Sequence, residues 1–145
     1  MPSMREQVLS ALLGQLRAIP LATVKRNEAL PAGPVPAAGL VILRDGDPSE
    51  PDVTLNPVHF YYNYRAEIEA FVSPPAGGGG EALLDALLGE IGAALAADRS
   101  LGGLVETLTW SAPEISVLAI EGAAPVLCAR VIVTLEYLTA DPLAV

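Results

Sequence analysis

Apolar and polar positions alternate in two distinct rhythms along this chain. Near the start, Val8, Leu9, Leu12, Leu13, Leu16 and Ile19 recur at three- and four-residue steps, which makes one apolar face of a helix. The run Ser3-Met4-Arg5-Glu6 in front reads as a capping box, in which hydroxyl and carboxylate reciprocally satisfy free helix amides. Pro20 stops the pattern, so the helix is expected over about 3–18. The other rhythm, of period two, is clearest over 57–72. Val58, Phe60, Tyr62, Tyr64, Ala66, Ile68, Ala70 and Val72 share one face; His59, Tyr61, Asn63, Arg65, Glu67, Glu69 and Phe71 share the other. A strand of that length spans roughly 50 Å, so a bend, a bulge or a projecting end is expected.

The remaining pattern fills in around these two. Residues 22–27 suit a short strand, 28–38 a Pro-rich loop, and 39–44 (GLVILR) a short apolar strand. Residues 45–57 read as an acidic loop and 73–80 (SPPAGGGG) as a connector. A second helix is expected over 81–97, with Leu84, Leu87, Leu88, Ile91 and Leu95 as its buried stripe and Gly102-Gly103 ending the element. Strands over 104–110, 115–120 and 128–138 follow, neighbours pairing antiparallel where turns are short. The expectation is one α+β domain over 1–145: a mainly antiparallel sheet with two helices packed on one face, the other face left for association.

Composition narrows what such a domain does. The 145 residues carry Lys+Arg 8 against Asp+Glu 17, a net charge of −9, and the sequence pI is about 4.4. Nucleic-acid binders present a basic stripe to phosphate; here the only close basic pair is Lys25-Arg26. The hydrophobic fraction is 52% and the mean hydropathy +0.45. The apolar runs are nevertheless short, because Glu121, Pro125 and Arg130 interrupt the longest, so no membrane span is expected; nor is a signal peptide, because the N-terminal apolar positions form a helical stripe and Arg17 follows closely. The surplus apolar surface points to a core plus subunit interfaces.

Candidate chemistry is sparse. His59 stands alone, without a partner nucleophile or acid, and reads as a structural histidine. Cys128, the one cysteine, opens an apolar strand and reads as a buried, inert thiol. Asp45, Asp47, Glu50 and Asp52 in RDGDPSEPD are hard oxygen ligands, but Pro48 and Pro51 break the spacing of a calcium loop, and a solvated turn is the simpler reading. Gly77–Gly80 lacks the Lys-Ser/Thr of a phosphate loop. Glu67 and Glu69 share a strand face, where paired carboxylates can do acid–base work, although Arg65 beside them favours a plain polar face. Tyr61 falls opposite the other aromatics and suits an interface anchor. No catalytic, cofactor or metal site is expected.

Taken in order, the segments MREQVLSALLGQLRAI, VKRNE, GLVILRDGD, HFYYNYRAEIEAFV, ALLDALLGEIGAALAADRSLGGLV and ARVIVTLEYLT resemble the tail terminator proteins of long-tailed, lambda-type phages and phage-like particles. The resemblance covers about 1–140, and AADRSLGGLVETLTW is its most characteristic stretch. It implies an α+β subunit of a hexameric ring, not an enzyme. The ring sits in the virion, caps the tail tube against the major tail tube protein and presents a surface to the head connector. DNA slides through the lumen unbound; six copies at −9 each total −54, and like charge discourages adhesion. Candidate interface residues are Asp45, Asp47, Glu50, Asp52, Tyr61, Glu67 and Glu69, and either the Pro-rich or the acidic loop is expected to meet the tube. A neighbouring neck or tail-completion protein is the alternative within this class. More distant are a small hydrolase or transferase using His59 or Cys128, and a module holding a small ligand against the aromatic strand.

Overall fold

The computed structural model describes residues 1–29, 34–119 and 124–144. Helix α1 is Met4–Leu16, opened by Ser3, whose Oγ accepts the Glu6 N–H at 3.2 Å. Only half of the expected capping box forms. The Glu6 carboxylate turns to Arg26 and to the Ser10 hydroxyl instead, because an ion pair outcompetes a single amide as its partner. The strands are β1 (Thr23–Arg26), β2 (Leu40–Asp47), β3 (Asp52–Thr54) and β4 (His59–Val72). Helix α2 (Gly80–Ala97) and then β5 (Thr107–Trp110), β6 (Glu114–Leu118) and β7 (Val126–Thr139) complete the chain.

All strands join one seven-stranded sheet, with β1, β2, β4, β7 and β5 side by side. The long β4 and β7 form its spine, antiparallel and in register from Phe60↔Thr139 to Val72↔Leu127. Strands β2 and β3 lie end to end along the other side of β4, and β5 and β6 end to end along β7. Both helices cover one face, where β4 contributes Tyr64, Ala66, Ile68 and Ala70, and β7 contributes Ala129, Val131, Val133 and Leu135, to a core shared with Leu9, Leu12, Leu87, Ile91 and Leu95. The fold is therefore α+β, as the periodicity implies.

One pair, β1 with β2, is parallel across a long connection, and Val35 packs on the face away from the helices. Three expectations are corrected. The acidic stretch 45–57 is no loop: 45–47 prolong β2 and 52–54 form β3, since backbone pairing to β4 asks nothing of the side chains. The expected irregularity lies in β2, where the register shifts between Arg44 and Asp47. Gly46 sits there at φ +69°, so close to the Arg65 carbonyl that no side chain fits. Finally, β5 and β6 do not pair with each other: Ser111-Ala112-Pro113 interrupts a single edge while the Ser111 N–H still donates to the Ile132 carbonyl of β7 at 2.9 Å.

The characteristic AADRSLGG stretch is a turn built on one carboxylate. Helix α2 ends at Ala97, before the glycines, and Asp98 takes up extended backbone. Its Oδ1 accepts the Ser100 N–H (3.0 Å) and hydroxyl (2.8 Å), and its Oδ2 accepts the Gly102 N–H (2.8 Å). The Ser100 hydroxyl and these amides hold the Asp98 carboxyl below its usual range. The turn thus aims the chain from the helix layer back into β5.

Candidate interaction surfaces

The sheet face away from the helices is the first surface. One end of it is a small second core of Val35, Leu40, Ile42, Phe71 and Val126, with Cys128 half-buried beside it. Burial pushes the Cys128 thiol up, away from the thiolate a nucleophile requires. The rest is polar. Glu69 pairs with Arg44 of β2, and Glu67 pairs with Arg130 of β7 at 3.1 Å. Because Arg44 stands opposite Glu67 and Arg130 opposite Glu69 in the register, the two pairs cross the sheet diagonally. Each carboxylate has its own cation, so the two do not form a shared acid–base pair. Farther along, the half-buried Tyr61 donates its hydroxyl to Glu106 Oε2 at 3.2 Å. Burial and the carboxylates of Glu136 and Glu106 push its phenol up.

The four acidic residues of 45–52 separate by role. Asp45 is not a free surface acid. Arg26 of β1 forks onto it (Nε to Oδ1 2.8 Å, Nη2 to Oδ2 3.0 Å) and onto Glu6 of α1 (Nη1 to Oε1 2.6 Å, Nη2 to Oε2 2.9 Å). One guanidinium thereby ties α1, β1 and β2 together. The Arg26 hydrogen bond is the main reason that Glu6 is held at about 2 and that Asp45 lies below its usual range. The sequence marked Arg26 only as half of the basic pair Lys25-Arg26 in a short strand, not as a tie between elements. Asp47 caps the following turn by accepting the Ser49 N–H at 2.9 Å. Glu50 and Asp52 are exposed where the chain enters β3, and Leu55 and Val58 are uncovered at the tip of the β3–β4 hairpin, with Val53 uncovered on β3. His59, half-buried, begins β4 opposite Thr54.

Of two hollows, one lies against the aromatic strand, where the sequence offered a small-ligand module, and the other went unread. Tyr62, Tyr64 and Tyr137 cluster on the helix side, the Tyr62 and Tyr137 rings stacked at 5.5 Å. They line a pocket of about 360 Å³ with Arg5, Asp45 and Pro142. Burial pushes the Tyr137 phenol up to about 12. The pocket depends on the turn after β7, which no periodicity announced. The other hollow lies where α2 stops short of the β5–β6 edge, in two adjoining parts of about 330 Å³ each that share Leu88 and Pro113. Leu88, expected in the buried stripe, is only half-buried there. Ile115 and Val117 on the edge strand are each 61% exposed.

Among the described residues, no three His, Cys, Asp or Glu side chains gather to hold a metal ion, and no helix is long and apolar enough to cross a membrane. Fold and surfaces together define an α+β protein whose sheet is covered by helices on one face and whose edges carry uncovered apolar side chains. No protein-family model matches the chain, and no curated protein matches it.

Proposed function

We propose that this protein is a structural subunit of a phage or phage-like tail, forming a hexameric ring that ends the tail tube and joins it to the head connector. The observation that carries the reading is where the uncovered apolar side chains lie. Val53, Leu55 and Val58 project on the β3–β4 hairpin and Ile115 and Val117 on the β6 edge, both extended elements suited to contact with other protein. The order of elements, with the Asp98 turn feeding β5, also agrees with what the resemblance implies.

On this reading the hairpin tip, where Leu55 and Val58 are uncovered, is the surface that meets the tube, with the exposed Asp47, Glu50 and Asp52 on the stretch that leads into β3. The diagonal ion pairs of Glu67 and Glu69 keep the open sheet face ordered. The chain's acidic balance lets DNA pass a lumen without adhering. The test replaces residues 55–58, the hairpin turn, by a two-residue turn. The expected result is a folded protein whose tails fail to stop at their normal length or to join heads. Tails of normal length that join heads normally would remove the hairpin from the interface. A protein found at another position in the neck would favour the tail-completion alternative.

A further inference from the structure

The two lateral edges of the sheet differ in charge, and the difference is large for so acidic a chain. Residues 4–27, which make α1 and β1 at one edge, carry four basic side chains and one acidic side chain. That lone acid, Glu6, is already spent on Arg26. Residues 80–118, which make α2, β5 and β6 at the other edge, carry six acidic side chains and one basic side chain. The single base, Arg99, lies over the Trp110 ring at 4.5 Å.

Shape follows the same division. At the acidic edge, among the described residues β6 pairs only with β7, and the hollow between it and α2 is lined by Leu84, Leu88, Ile115 and Leu127 and rimmed by Glu81 and Asp85. At the basic edge, among the described residues β1 pairs only with β2. Leu21, 77% exposed, stands next to it, between the exposed Arg17 and Lys25. An uncovered leucine flanked by cations on one edge complements an apolar hollow flanked by carboxylates on the other.

We infer that the basic α1–β1 edge of one copy docks against the acidic α2–β6 edge of the next, with Leu21 entering the hollow beside Ile115. Such a contact joins two different surfaces, so each copy keeps one of each free, and repetition closes a ring or extends a filament. Opposite charge at the rim sets the order of the edges and disfavours like-to-like pairing. The inference rests on the ring reading above and adds to it which surfaces meet.

The test reverses charge on each edge separately and then on both. Arg17→Glu with Lys25→Glu alters the basic edge; Asp85→Lys with Glu114→Lys alters the acidic edge. All four side chains are exposed, and none is ion-paired among the described residues. Oligomeric state is read by sedimentation velocity and native mass spectrometry, with circular dichroism as the folding control. Each single-edge variant is expected to weaken self-association by about tenfold or more. The four-fold variant, with both edges reversed, is expected to recover to within a few-fold of the parent, which a misfolded protein cannot do. Leu21→Asp alone should also dissociate the assembly. An assembly unaffected by either edge reversal and by Leu21→Asp overturns the inference while leaving a ring intact. So does a parent chain that remains monomeric at every concentration; the tail-cap reading then fails only if tails made without this protein also have normal length and join heads.

Discussion

Arg26 joins three elements through one side chain, and its effects are separable. Its side chain is 20% exposed and that of Asp45 is 28% exposed, between the regimes of weak surface pairs and costly buried ones. Replacing Arg26 by Met leaves two carboxylates facing each other and is expected to cost about 2 kcal/mol in urea unfolding. The pH dependence has a definite sign. Glu6 is held at about 2 against an ordinary value of 4.5. Its stabilisation is complete above about 4.5 and is lost as the pH falls toward 2; Asp45 acts in the same direction. Acid unfolding of the parent should therefore steepen across that window, and Arg26→Met should flatten it. An equal slope in both proteins would detach the fork from acid stability. At Gly46, substitution by Ala forces a left-handed backbone on a residue with a Cβ and drives that atom into the Arg65 carbonyl. A loss of about 2–4 kcal/mol is expected, against little change at Gly77, which has open space.

Among the elements, those with a sustained rhythm were legible in the sequence. Helix α1, β4 and β7 fall within a few residues of their expected bounds because each has one face to bury and the other to expose. What the periodicity left out is pairing. Strand β3 has three exposed residues and so no pattern at all. The segment from Ser111 to Pro113 announces a turn but not that β5 and β6 share β7 as partner. The parallel placement of β1 depends on a connection whose direction is not written in its composition. Apart from Tyr61, the candidate site residues were legible only as surface acids. That Asp45 is bound inward while Glu50 and Asp52 face outward depends on contacts across the fold. Helix α2 offers a graded test of this difference. Leu95, fully buried, should cost about 3 kcal/mol when cut to Ala. Leu88, at the rim of the hollow, should cost about 1 kcal/mol because part of its surface already meets water. Chemical denaturation of the two variants separates the cases, and equal losses would mean that the hollow is closed in solution.

For the whole molecule, a single sheet supplies four surfaces: a helix-covered face that holds the fold together, an open face crossed by ion pairs, and two edges of opposite charge. Charge at the edges makes association salt-sensitive, so raising ionic strength from 0.05 M to 0.5 M is expected to shift assemblies toward smaller species. The apolar hollow and Leu21 should hold a remnant together, and an assembly indifferent to salt would locate the contact elsewhere. The central claim, that this protein closes the end of a tail tube, is tested most directly by imaging assembled particles at residue resolution. The account predicts a ring of six copies between the last ring of tube subunits and the head connector, with the β3–β4 hairpins directed at the tube. Particles in which this protein is missing, or lies anywhere other than that junction, would contradict it.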